Sequence, residues 1–481
     1  MTRIKIILGA ALFTAMLVSC SNPIQKPDND LPPLEKNEFY DEFYAQNIKT
    51  GKYYKVKAKK MFVGNKCVIW AEEGSEIDED KAEEIAHEYD EVIRPKVVNA
   101  FSKKDFPVTY KKSTYHFDDM LDYANWLAHR DDKKLTILLL DIKDDYKGLE
   151  TDSYVAGYFF GGNFFPEGKI QGTVHYSNSR DMIYVDTDPG LKDKPAQTYA
   201  TFAHELQHLI NFVTTYQIQR GGSPYHYMDT WIDEGLSSQA EYLYSEEKQA
   251  NECKWFINDV KGTIARGNNF FVWDNHREES LAILDEYATV YLFFRWLYLQ
   301  AANAGLESDI FMKIETSNSF NYSAVTDVAR NINPAWGSWE PLLRTWLAAN
   351  YYPKNSYGYT GDAELQDKIT VNPIGGKTIR LYPGEGVYSI IEDPFSVKPS
   401  NEKSNIRYAG LTETINTSSP YTGDVLLTFN ANTDNKAPRE TGSLTGVFSL
   451  VSRTAARSIQ TGTTSGPYVI DARDMLERSK R

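Results

Sequence analysis

One stretch limits what this chain can fold into more than any other. Residues 201–211 read Thr-Phe-Ala-His-Glu-Leu-Gln-His-Leu-Ile-Asn. His204 and His208 stand four apart, and a helix puts both imidazoles on one face about one turn apart. That spacing lets two ring nitrogens reach a single Zn²⁺ at roughly 2.0–2.1 Å each. Glu205 follows the first histidine, where its carboxylate can take a proton from water activated by the metal. The flanks agree with a helix. Pro195 suits a first turn, and no further Pro and no Gly occurs as far as Val213. Tyr199, Phe202, Ala203, Leu206, Ile210 and Val213 recur at intervals of three and four, which predicts a buried stripe with the histidines at its edge.

A catalytic zinc site needs a third protein ligand and an open position for water. A histidine just downstream is one familiar route, but Asn211 and Thr214 occupy the places where its glycine and histidine would stand. A glutamate on a later helix is the other. Trp231-Ile232-Asp233-Glu234-Gly235-Leu236-Ser237-Ser238-Gln239-Ala240-Glu241-Tyr242 fits it. Glu234 and Glu241 share one helix face, so one can bind the metal while the other holds a ligand histidine by a hydrogen bond.

His-Glu-x-x-His followed by Trp-x-x-Glu-Gly-Leu-x-x-x-x-Glu resembles the glutamate-zincin metallopeptidases. The likeness is closest to the hyicolysin-type family, whose first motif also runs on to an asparagine, at the position of Asn211 here. It covers roughly residues 50–350. The resemblance implies an α+β chain with a zincin-like catalytic domain: a mixed sheet, an active-site helix, then a helical subdomain. It implies one Zn²⁺ per chain held by His204, His208 and Glu234, with Glu205 as general base and supporting roles for Glu241 and Asn211. Aminopeptidase relatives space the two motifs more closely than the 25 residues between His208 and Glu234. The excess reads as a longer loop around Gly221-Gly222-Ser223-Pro224, and it leaves Glu241 as the alternative third ligand. In those relatives a tyrosine at the start of a comparable helix steadies the oxyanion. Tyr287 matches it here, in the apolar helix expected over Asp285–Leu297, with helix packing as its other reading and His226 as a weaker donor. An edge strand before the zinc helix pairs with extended substrate in the resembling fold, and Met182–Asp186 is the strand expected to do so. No stretch like Gly-x-Met-Glu-Asn is present to recognise a free amino terminus, so an endopeptidase is preferred over an aminopeptidase.

Residues 1–19 read as a lipoprotein signal peptide. Arg3 and Lys5 precede the apolar run Ile6–Val18, which is too short to span a bilayer. Leu17-Val18-Ser19-Cys20 resembles a bacterial lipobox, which implies cleavage before Cys20 and a lipid on it. Residues 20–37 carry Pro23, Pro27, Pro32 and Pro33 among Asn and Asp, the composition of a flexible tether. The expectation is a lipid-anchored protein of the bacterial cell envelope or surface, facing outside the cytoplasm. A hydrophobic fraction of 41% over 481 residues supports a core and more than one domain. A net charge of −14 with no basic patch argues against nucleic acid as a partner. After Cys20 only Cys67 and Cys253 remain, as two buried thiols in preference to one disulfide.

The folded part is expected to fill residues 38–352. Tyr53–Lys59 and Val63–Trp70 read as strands around Gly64-Asn65. A helix follows from Asp78, with Pro95 expected to kink or end it. His87-Glu88 on that helix lacks a second histidine, since Glu91 stands at the place, and reads as a solvated face. Leu135–Asp141 reads as a strand buried on both faces. Gly157–Phe165 is an aromatic, glycine-rich loop or strand, read either as simple packing, which is preferred, or as lying near the substrate cleft, and Trp339–Tyr351 reads as a helix with Ser338 as its N-cap candidate. From residue 353 the chain turns rich in Gly, Ser, Thr and Asn. Short runs at Lys377–Leu381, Gly386–Ile391, Ile406–Leu411 and Asp424–Phe429 predict an all-β module over 353–481, expected as a sandwich. These features converge on a zinc-dependent endopeptidase acting on proteins or peptides. The rival from another class is a surface binding or adhesive lipoprotein with a structural or vestigial zinc site. Glu205 favours the enzyme, because a metal can bind without it.

Overall fold

The structure is a computed structural model that describes residues 34–36, 40–144, 146, 154–165, 167–170, 173–219, 226–246, 256, 270–271, 282–371, 373, 378–391, 396, 404–434 and 440–443. The signal peptide, Cys20, most of the tether, Gly221-Gly222-Ser223-Pro224 and Cys253 lie outside the described residues. So does everything after Ser443. Two compact units divide the described residues: those up to Lys248 with Ser308–Ala324, and those within Gln249–Glu307 with those from Val325 to Ser443. No described helix is long and apolar enough to cross a membrane.

The first unit begins with β1 (Tyr40–Gln46), β2 (Tyr53–Val63) and β3 (Cys67–Glu72). Helices α1 (Glu79–Glu88) and α2 (Arg94–Phe101) follow, then the hairpin β4 (Lys104–Tyr110) and β5 (Ser113–Asp119), and α3 (Met120–Leu127). Next come β6 (Leu135–Leu140), β7 (Gly157–Phe159), the small hairpin β8 (Gly168–Ile170) and β9 (Thr173–His175), and β10 (Met182–Asp186). The helices α4 (Pro195–Ile218) and α5 (Thr230–Ser245) complete the run. Asp78 caps α1 by accepting from Lys81 N at 2.8 Å. The expected break near Pro95 comes just before it. A π-turn over Tyr89–Ile93 joins α1 to α2, and Pro95 sits in the first turn of α2.

Six strands form one mixed sheet in the order β1-β2-β3-β6-β10-β7. The centre is parallel, with Cys67 opposite Leu135 and Met182 opposite Thr136. The flanking pairs are antiparallel. β6 is buried along its whole length, as its unbroken apolar run predicts. One face gathers Phe43, Ala45, Val56, Ala58, Val68, Trp70, Leu138, Met182, Tyr158 and Tyr184 into a core. The sheet curls over that core until its two ends meet. Tyr158 Oη on β7 accepts from Gln46 N on β1 at 3.2 Å, and Tyr184 Oη donates to Tyr44 O at 3.1 Å. Asn178 closes the seam, donating to Tyr44 O at 2.9 Å and accepting from Tyr44 N at 2.8 Å.

The other face carries α4, which lies against β7 and β10. Met182–Asp186 is therefore not the edge strand it was expected to be. β7 pairs antiparallel outside it, Phe159 opposite Ile183 and Gly157 opposite Val185, and takes the edge. Gly157 is where edge and helix come closest. A Cβ there would stand 2.8 Å from Thr201 Cγ2, 2.9 Å from Tyr184 O and 3.3 Å from Glu205 Cγ.

In the second unit, α6 (Ala282–Asn303) contains the helix expected from residue 285. α7 (Ile310–Glu315) belongs to the first unit. α8 (Tyr322–Ile332), α9 (Trp339–Tyr351) and α10 (Ala363–Lys368) then lead into β11 (Thr378–Leu381). Ser338 holds the N-cap place of α9, though its side chain makes no capping bond. β12 (Gly386–Ile390), β13 (Ile406–Leu411), β14 (Ile415–Asn416) and β15 (Val425–Asn430) form an antiparallel sheet in the order β12-β15-β13-β14. β16 (Glu440–Ser443) pairs with β11. The residue-353 boundary falls inside this unit: Tyr388 Oη donates to Leu347 O of α9 at 2.7 Å.

Because Tyr184 O is backbone, a methyl group at position 157 forces β7 outward. Gly157→Ala should lower the unfolding free energy by about 1–3 kcal/mol, read from denaturant unfolding of the two chains.

Candidate metal centre

Helix α4 starts at Pro195 and is buried on every side from Thr198 to Thr215. The expected apolar stripe is there, but the histidine side is no more exposed, because α5 packs along it. His204 and His208 are 1% and 8% exposed and Glu205 1%, so every polar atom here depends on protein partners.

His204 Nε2 and His208 Nε2 face each other at 3.0 Å. Glu234 Oε2, from the second turn of α5, stands 3.5 Å from the first and 3.7 Å from the second. These three residues form a buried group able to hold a metal ion. Four ligands about 2.0–2.1 Å from a tetrahedral ion lie about 3.3–3.4 Å apart, and the three separations straddle that value. Glu234 Oε2 also makes no hydrogen bond, although it is fully enclosed. A buried carboxylate oxygen without a donor, aimed at two imidazole nitrogens, is what an ion's place leaves in a protein frame.

The outer nitrogens are held as well. Glu241 Oε1 lies 2.7 Å from His204 Nδ1, so the two glutamates seven apart grip one imidazole from both ends. His208 Nδ1 has Asp233 Oδ1 at 3.0 Å and Ser237 Oγ at 3.0 Å. Asn211 reaches the centre through Asp233, donating from Nδ2 to Oδ1. Thr215 Oγ1 steadies Asn211 at 3.3 Å. An acceptor at each Nδ1 keeps the hydrogen there and leaves Nε2 with its lone pair for a metal.

Carboxylates dominate the charge balance. Burial presses the His204 pKa down, but the carboxylates of Glu234 and Glu241 beside it outweigh burial and lift it to about 10. Burial opposes charge on His208 too, and Asp233 with Glu234 raises its pKa nonetheless. Both shifts favour positive charge on the imidazoles.

The structure brings together His204, Glu205, His208, Glu234, Glu241 and Asn211. Tyr287 lies in the second unit, buried within α6. His226 is exposed just before α5, joined through backbone N and O to Gln219 at 2.8 and 2.7 Å. His87 stands on the solvated face expected of it, 3.7 Å from both Glu83 and Glu91. Cys67 is a free buried thiol. Asp233 and Ser237 went unassigned in the sequence, although both stand inside the second motif, and an acid next to the ligand glutamate was the visible signal. Gln207 hid between the two histidines. No family model matches the sequence, and no curated protein gives a significant match.

Removing the acceptor on either Nδ1 frees that imidazole to take the wrong tautomer. Glu241→Leu and Asp233→Leu should each weaken metal binding about 10–100-fold, measured by competition with a chromogenic chelator.

Proposed function

We propose that this chain is a zinc-dependent endopeptidase acting on protein or peptide substrates, held outside the cytoplasm at a bacterial membrane by a lipid on Cys20. The observation that carries it is the triangle of His204 Nε2, His208 Nε2 and Glu234 Oε2 at 3.0–3.7 Å, with Glu205 next to the first ligand on the same buried helix. Two imidazoles and one carboxylate with room for water form the donor set of a catalytic rather than a structural zinc site. The fold is read as zincin-like on the same grounds, together with the sequence resemblance.

Bound zinc would supply Lewis-acid polarisation of a carbonyl and a water of lowered pKa. Glu205 takes the proton from the water as it adds to the scissile carbonyl carbon, and returns it to the leaving amine. Its side chain runs beneath β7 at Gly157. Among the described residues no strand pairs with the outer side of β7. An extended peptide laid along that edge takes up its N–H and C=O groups and brings a backbone carbonyl past Glu205. This favours a peptide over another amide or an ester. Glu241 and Asp233 keep both imidazoles oriented through the cycle.

Glu205→Gln tests the assignment. Parent and variant should both hold about one zinc per chain, while cleavage of unfolded casein falls by about 10²–10⁴-fold. Chelator should abolish the parent's activity. Equal zinc with no cleavage by either chain would favour the binding-protein reading.

Protons and metal compete for the same nitrogens. With His204 lifted to about 10, the metal-free centre is protonated at pH 7, so zinc uptake must displace that proton. Apparent zinc affinity should rise as pH climbs from 6 towards roughly 10, with proton release seen by titration calorimetry in buffers of different ionisation enthalpy.

A further inference from the structure

After Lys248 the chain leaves the first unit and, among the described residues, returns to it for Ser308–Ala324. That return docks on the helices around the metal centre. Phe311 stacks on Phe101 of α2, centroids 5.3 Å apart and planes 6° apart. Phe320 O accepts from Asp229 N at the head of α5, at 2.7 Å. Glu315, at the end of α7, accepts at Oε1 from Gln207 Nε2.

Gln207 stands between the two ligand histidines, and its other end faces the centre. Gln207 Oε1 accepts from Ser237 Oγ, which lies 3.0 Å from His208 Nδ1. A run of polar groups thus links Glu315 to a metal ligand. Its polarity is set from the Glu315 end. With Glu315 Oε1 accepting the Gln207 N–H, the amide oxygen faces Ser237. The single Ser237 hydroxyl proton then goes to Gln207 Oε1 or to Asp233 O at 2.9 Å, and either way points away from His208. His208 Nδ1 meets only acceptors, Ser237 Oγ and Asp233 Oδ1, so it carries the hydrogen and Nε2 keeps its lone pair.

A second observation sets Glu315 apart from an ordinary packing residue. It is completely buried, and its Oε2 has no hydrogen-bond partner. Burial, with the charge of Asp233, pushes its carboxyl well above the usual range. An interior carboxyl with an idle oxygen weakens a fold, so its place beside the metal helix calls for a role other than stability.

We infer that Glu315 is a positioning residue of the metal centre, fixing His208 through Gln207 and Ser237 with Nδ1 protonated and Nε2 presented to the ion. This rests on the reading of His204, His208 and Glu234 as metal ligands.

The test uses the full chain stripped of metal, with Zn²⁺ and then Co²⁺ as probes. Glu315→Leu should raise the zinc dissociation constant about 10–100-fold and alter the visible spectrum of the cobalt-loaded protein. The thermal midpoint of the metal-free chain should not fall, since a lone buried carboxyl gives way to an apolar side chain. Glu315→Gln keeps an acceptor at Oε1 and should bring zinc affinity back to within roughly threefold of the parent. Gln207→Met breaks the run at its middle and should reproduce the loss even if the leucine variant does not fold. Parent-like zinc affinity and cobalt spectra in the Leu and Met variants would overturn the inference. So would a loss of affinity that tracks a lower metal-free midpoint and is not rescued by Gln. A parent chain that takes up neither ion overturns the metal-centre reading itself, which shows before any substitution is made.

Discussion

Four carboxylates, Glu205, Asp233, Glu234 and Glu241, lie buried beside two buried imidazoles, and the surroundings of α4 answer to that fact. An isolated ionised carboxylate inside a protein is prohibitively costly, and an ion pair offsets the cost only when its geometry is good and its remaining hydrogen bonds are made. Each Nδ1 has its carboxylate, at 2.7 Å for His204 and 3.0 Å for His208, and Glu234 is left facing both Nε2 atoms. Counted formally, two protonated imidazoles and one divalent ion between two neutral imidazoles leave the pocket with the same charge. The carboxylates favour positive charge in the pocket, and the raised His204 and His208 pKa values follow from that.

Such a pocket needs cover on every side of the helix that carries it. The sheet supplies one side and α5 another, with α2 and α7 packed nearby. Curling the sheet through Tyr158 and Tyr184 closes its inner core and leaves the outer face to α4. β7 can approach that helix only because position 157 has no side chain. The same approach puts the open strand edge next to Glu205. The β7 edge and Glu205 are therefore set by a single packing constraint, and neither can shift without the other.

Local periodicity made much of this legible. β6 and α4 declared themselves by an unbroken apolar run and by spacings of three and four, and the strands near 380, 388, 408 and 427 by short β-like segments between turn residues. The pairing of Glu234 and Glu241 on one helix face needed only the helical period. What sequence could not give was partnership. Met182–Asp186 is plainly a strand, but whether it is an edge depends on Gly157–Phe159 pairing outside it, and three residues carry too little pattern to say so. Full burial of α4 was hidden for the same reason. The polar side of a helix reads as solvated until a second helix of matching polarity is known to cover it.

Glu315 is the extreme case of that limit. It lies 74 positions beyond Glu241, counted as 315 − 241, at the end of a six-residue helix with no motif of its own. Nothing local marks it, because its meaning comes from a backbone path that returns to the first unit. The dependence runs the other way as well. Without the return, Gln207 would lose its acceptor, Asp229 N its carbonyl and Phe101 its stacking partner, all on elements that frame the centre. Local opening of Ser308–Ala324 would then reach His208 through hydrogen-bond polarity before it moved any ligand atom. The three residues able to hold an ion sit within 31 residues of one another in sequence (204 to 234), yet the hydrogen bonds behind His208 run on to a segment that a reader of those residues has no reason to include.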